Sequence, residues 1–107
     1  MLNNEEKYQV IFTACCSFME VDPGKIVEKT RKKPIPLTRQ IIAYLVKKNT
    51  SFIYKDIAKK IGWADHSMVH NAIDKMKGYL RHQPEVQEQV KSIATIIRDS
   101  NGLIIMQ

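Results

Sequence analysis

The 107-residue sequence has only two cysteines, Cys15 and Cys16, and they are adjacent. Neither a disulfide framework nor a CxxC metal or redox site can be built from such a pair. They read as two small apolar residues packing in a helix. No apolar run approaches the roughly 18 residues that a membrane span requires. The opening Met-Leu-Asn-Asn-Glu-Glu is acidic and lacks the basic segment of a secretory leader, so a cytoplasmic location is expected. No Gly-x-x-x-x-Gly-Lys-Ser/Thr phosphate loop occurs, and the length leaves no room for an ATPase domain. Internal repeats and low-complexity segments are missing. So is the alternation of period two that marks strands.

What is present fits one small soluble domain spanning residues 1–107, large enough to bury a single core. Its hydrophobic share of 44% and charged share of 26% are those of an ordinary globular chain. The charge is unevenly spread. Residues 25–60 hold eleven lysines or arginines against Glu28 and Asp56, a net +9, so the remainder carries −3 of the total +6. A basic middle between mildly acidic ends is the footprint of a polyanion binder, although a solvated lysine-rich surface would look similar.

The apolar spacing predicts six helices. Asn3 or Asn4 can cap the first, with Glu5 and Glu6 near its positive end and Ile11, Ala14, Cys15 and Phe18 on its stripe. Asp22-Pro23-Gly24 starts a short second helix that ends before Pro34. Arg31-Lys32-Lys33-Pro34-Ile35-Pro36 reads as a stiff basic loop. A third helix runs from Leu37 to about Lys48, with Thr38, Arg39, Lys47 and Lys48 off its apolar face. The fourth spans about Tyr54 to Ile61 and ends at Gly62, which supplies a left-handed turn at low cost. The fifth begins at Asp65 with the core stripe Val69, Ala72, Ile73, Met76 and Leu80. The sixth follows Pro84 through Val86, Val90, Ile93 and Ile97 to a turn at Asp99-Ser100-Asn101-Gly102. The apolar tail at residues 100–107 is expected to fold back rather than remain exposed.

The fourth and fifth helices, about residues 54–80, have the layout of a helix-turn-helix, whose second helix puts its N-terminal residues into a DNA major groove. Asp65 can accept from a cytosine amino group, and it can equally cap the helix. His66 and Ser67 can bond purine N7, thymine O4 or phosphate. The helix N-terminus itself favours phosphate.

Gly62-Trp63-Ala64-Asp65-His66-Ser67-Met68-Val69 resembles the Gly-Gly-Arg-Asp-His-Ser/Thr-Thr-Val signature of the C-terminal DNA-binding domain of the bacterial replication initiator DnaA. The resemblance extends from about Val21 to about Ile97. Lys29-Thr30-Arg31-Lys32-Lys33 looks like that family's basic loop, Leu37-Thr38-Arg39-Gln40 like its Arg-Pro-Arg-Gln, and Asp56-Ile57-Ala58 like its Pro-Glu-Ile-Gly. The resemblance implies an all-α, Trp-repressor-like fold that binds a nonamer, the DnaA box, in double-stranded DNA. It implies base reading by Asp65, His66, Ser67, Met68 and Asn71 in the major groove and by Arg31 in the adjacent minor groove. Phosphate contacts would come from Lys32, Lys33, Arg39, Gln40 and Lys47. Three positions depart from the signature: Ala64 for arginine, Met68 for threonine, and Asn71 for histidine, with His70 beside it. Met68 keeps apolar reach toward a thymine methyl, and Asn71 can pair bidentately with adenine, which implies shifted specificity.

The expectation is therefore a monomeric, non-catalytic DNA binder without cofactor, a natural short protein acting in replication initiation or its regulation. The alternative is a protein-interaction module or a transcriptional regulator with changed specificity. The first helix and the apolar tail are its candidate partner surfaces. His66, His70 and Asp74 share a helical face, but Ser67 stands where a His-Glu-x-x-His zinc hydrolase has its glutamate, so no metal is expected. RNA fits less well, because a helix cannot enter the major groove of an A-form duplex.

Overall fold

In the computed structural model, which describes residues 1–107, Asn3 starts the first helix, α1 (Asn4–Met19). Its Oδ1 accepts from the Glu6 N–H at 2.8 Å while its own N–H donates to Glu6 Oε1 at 3.1 Å, closing a capping box. Tyr8, Ile11, Cys15, Cys16 and Met19 form the buried row; Phe18, expected on the inner stripe, lies at the surface. Burial pushes the Cys16 thiol up to about 11 and the Cys15 thiol higher still, which disfavours the thiolate at both.

Five α-helices form, not six. The expected second helix is a single 3-10 turn, Pro23–Lys25, with Asp22 Oδ1 accepting from the Gly24 N–H. Beyond it the chain runs in single turns, with the Glu28 N–H donating to the Lys25 carbonyl at 3.2 Å. The carbonyls of Lys25, Ile26, Glu28 and Thr30 all accept from the Arg39 guanidinium.

Arg39 lies on α2 (Ile35–Asn49), the central helix, which packs against α1 and both helices that follow. Six consecutive residues, Ile41 to Val46, are buried, as expected of a helix covered nearly all round. Thr38 and Arg39, read from the sequence as off its apolar face, are buried too. The hydroxyl of Thr38 donates to the Pro34 carbonyl at 2.8 Å.

The remaining helices are α3 (Tyr54–Ile61), α4 (Ser67–His82) and α5 (Pro84–Asn101). Pro84 occupies the first position of α5, where no N–H is needed. The helix runs through the expected turn at 99–101 and stops at Gly102, which is left-handed at φ 68°. Beyond it the tail folds back, as the sequence predicts. Ile105 is buried, and the Asn49 side chain pairs with the Met106 backbone in both directions, accepting at 2.7 Å and donating at 2.9 Å. The Tyr44 hydroxyl donates to the Gln107 carbonyl at 2.8 Å. Asn49→Ala should bring the Met106 amide to unprotected hydrogen-exchange rates while amides inside α2 and α5 stay protected. Continued protection at Met106 would show that Ile105 and the Tyr44–Gln107 hydrogen bond hold the tail without Asn49. No helix is long and apolar enough to cross a membrane.

Candidate nucleic-acid interface

The exposed end of α4 is built from its cap outward. α3 ends at Gly62, left-handed at φ 85°, and the Gly62 and Trp63 N–H groups fold back onto the Ala58 carbonyl. Asp65 Oδ1 then accepts from the Ser67 N–H at 2.8 Å, while the Asp65 and His66 carbonyls accept from Met68 and Val69 to close the first turn. Asp65 therefore ties down the first N–H of α4 from one position ahead of the N-cap residue His66, whose own side chain makes no cap hydrogen bond. The Ser67 hydrogen bonds hold its carboxyl below the usual carboxylate range. This capping contribution is complete above the ordinary carboxylate pKa and is lost as pH falls through the lowered value. Because the carboxylate is fully exposed, its free lone pairs remain available to a ligand.

Val69, Ala72, Ile73 and Met76 anchor α4 in the core. The opposite face presents Asp65, His66, Ser67, Met68 and Asn71 to solvent, with Met68 40% exposed.

Two groups of residues flank this face. On one side an open groove is lined by Arg31, Gln40, Trp63, Met68, Asn71 and Lys75. The structure thus joins Arg31 of the loop and Gln40 of α2 to the recognition face. Lys32 and Lys33 are exposed on the same loop, and the Lys32 N–H donates to Thr30 Oγ1 at 3.2 Å. Lys33 lies toward α5, beside Tyr79 and Gln83. On the other side stands Lys47, whose Nζ donates to the Phe52 carbonyl at 3.1 Å and sits 4.8 Å from the Tyr54 ring centroid. The Tyr54 ring meets His70 edge-on at 3.9 Å, and His70 in turn meets His66 at 5.9 Å.

Arg39 also lines the open groove, though it is mostly buried. It is 8% exposed, and its guanidinium is occupied by four backbone carbonyls beneath the basic loop. Desolvation lowers its pKa from the ordinary value. Its bonds to the four carbonyls hold the chain that leads to Arg31.

Sequence reasoning missed Lys75, Trp63 and Tyr54. The signal for Lys75 was present: Met68, Asn71 and Lys75 follow the three- and four-residue spacing of a helix face, opposite the core stripe. Trp63 and Tyr54 carried no such signal, because their roles depend on which elements the fold brings beside them. His66, His70 and Asp74 do not assemble into a group that could hold a metal ion.

A short helix, a left-handed glycine turn and a second helix with an exposed polar N-terminal face make α3–α4 a helix-turn-helix. The family model for the bacterial DnaA protein helix-turn-helix matches residues 8–76, and the chain belongs to that family. The chromosomal replication initiator protein DnaA of Bacteroides thetaiotaomicron is 31% identical over 101 residues, which are 92% of this chain and 22% of that protein. The same-named protein of Bacteroides fragilis is 29% identical over 85% of this chain and 19% of its own length. That of Limosilactobacillus reuteri is 30% identical over 89% and 22%. The chain thus spans about a fifth of the length of the curated relatives it matches.

Proposed function

We infer that this chain binds double-stranded DNA sequence-specifically at a DnaA-box-like nonamer, in replication initiation or its regulation. The observation that carries this reading is the arrangement around α4. Asp65, His66, Ser67, Met68 and Asn71, all exposed toward its N-terminus, lie between Arg31, Gln40 and Lys75 on one flank and Lys47 on the other. A helix seated in a major groove meets a phosphate strand on each side, and cations on both flanks suit that placement. Asp65, His66, Ser67, Met68 and Asn71 read bases in the major groove. Arg31 enters the adjacent minor groove, where arginine is favoured by narrow A·T-rich geometry. Lys32, Lys33, Gln40, Lys47 and Lys75 contact phosphates. The protein acts in the cytoplasm as a monomer, and no catalytic step is assigned to these residues.

Fluorescence anisotropy with a nonamer duplex and a shuffled duplex, at low and moderate salt, tests the reading. A preference for the nonamer that survives added salt is the expected result. Equal affinities that fade together would reduce the site to a nonspecific basic surface. Asp65→Ala and His66→Ala should each cost about 1–3 kcal/mol of discrimination at the contacted base pair. Lys32→Ala should instead weaken both duplexes similarly and reduce the salt slope by about one. If Asp65→Ala and His66→Ala weaken both duplexes equally, those residues do not read bases.

A further inference from the structure

Trp63 is the one tryptophan of the chain, and it stands where the Gly-Gly-Arg-Asp-His signature has its second glycine. The indole is half-buried and packs against the core. Its N–H donates to no atom of the protein. Gln89 Oε1 is the single buried side-chain polar atom without a partner, so the unpaired indole N–H is not fully buried. Trp63 shares two adjoining grooves with Arg31 and Met68. One continues to Asn71 and Lys75 on α4, and the other runs along Lys29 and Thr30 of the basic loop.

This position has a consequence that rests on the DNA-binding reading above. Adjacent major and minor grooves of a duplex are separated by a single sugar–phosphate strand. If α4 occupies the major groove and Arg31 the neighbouring minor groove, a side chain lining the space common to both faces that strand. An indole N–H only donates, and the oxygens of a phosphodiester only accept. Much of the hydrogen bonding in protein–DNA complexes is of this backbone kind. The neighbouring Ala64 takes the place of the signature's arginine, so a cation at this edge is absent and a neutral donor stands beside the gap. We propose that Trp63 is a DNA-contacting residue, donating its indole N–H to the backbone phosphate between the two grooves.

The single tryptophan makes the test direct, because emission excited at the red edge, where the four tyrosines do not absorb, reports this residue alone. Acrylamide quenching should fall sharply when the protein is saturated with duplex, whether nonamer or shuffled at low salt. Trp63→Phe, which keeps a ring for packing but removes the donor, should bind both duplexes about three- to tenfold more weakly. Its salt slope should be unchanged, because no cation is lost. Quenching that is equal in free and saturated protein, or wild-type affinity in Trp63→Phe, overturns the proposal. Anisotropy of labelled duplex keeps the two readings apart. Binding with an open Trp63 defeats this contact alone, whereas no binding to any duplex defeats the DNA-binding reading and the contact with it.

Discussion

Arg39→Lys should lower the unfolding free energy by about 2–4 kcal/mol and the thermal midpoint by roughly 10–20 °C, although net charge is conserved. The guanidinium spreads its donors over four carbonyls. Nε reaches Ile26 at 2.7 Å, and the two terminal nitrogens reach Thr30 at 2.8 Å, Lys25 at 3.3 Å and Glu28. A lysine ammonium concentrates its donors at one point and cannot reproduce that planar fan. Each buried carbonyl left without a donor costs about 1–3 kcal/mol, less where the loop can turn outward to water. A residue that met only phosphate, as the sequence implies for Arg39, would tolerate lysine with its stability intact and lose little affinity. Chemical denaturation of the variant separates the two roles, and a midpoint equal to wild type would sink the structural one. DNA affinity measured well below the midpoint should also fall, because the clamped segment positions Arg31.

The contrast between Arg39 and its neighbours shows what could be read in the sequence. Helix periodicity, the Gly62 stop and the Pro84 start depend on local chemistry, and α3 has the predicted bounds, Tyr54–Ile61. The exposed face of α4 was legible for the same reason: a core stripe of Val69, Ala72, Ile73 and Met76 leaves Met68 and Asn71 facing out. The burial of Arg39 was not legible because helical spacing cannot show that a loop thirteen residues upstream delivers its carbonyls to one guanidinium. The segment expected to form the second helix is the same one whose carbonyls meet that guanidinium. Trp63 was overlooked for a related reason, since the groove it lines exists only after the basic loop packs beside α4.

Gly62→Ala should destabilise the protein by about 2–4 kcal/mol, and Gly102→Ala by only about 1 kcal/mol, although both glycines are left-handed helix caps. Both substitutions incur the backbone penalty of an alanine at positive φ, here 85° and 68°. Their surroundings differ. A methyl group on Gly102 would meet nothing within 4 Å, whereas on Gly62 it would lie 2.9 Å from the Val27 carbonyl oxygen and 3.0 Å from Val27 Cα. Those are backbone atoms that cannot rotate away, so the turn or the loop must move. Val27 belongs to the segment whose carbonyls on either side, from Ile26 and Glu28, bond to Arg39. Displacing it strains that clamp and shifts the basic loop relative to α4. Gly62→Ala should therefore weaken duplex binding even under conditions where the variant is fully folded, while Gly102→Ala, at the far end of α5, should bind as wild type does. Urea titrations of the two variants, paired with anisotropy at a temperature below both midpoints, provide the comparison. Equal stability losses would mean that the Val27 contact relaxes freely. Equal affinities would mean that the glycine turn and the Arg31 loop are mechanically independent, and the close approach at Gly62 would then serve the fold alone.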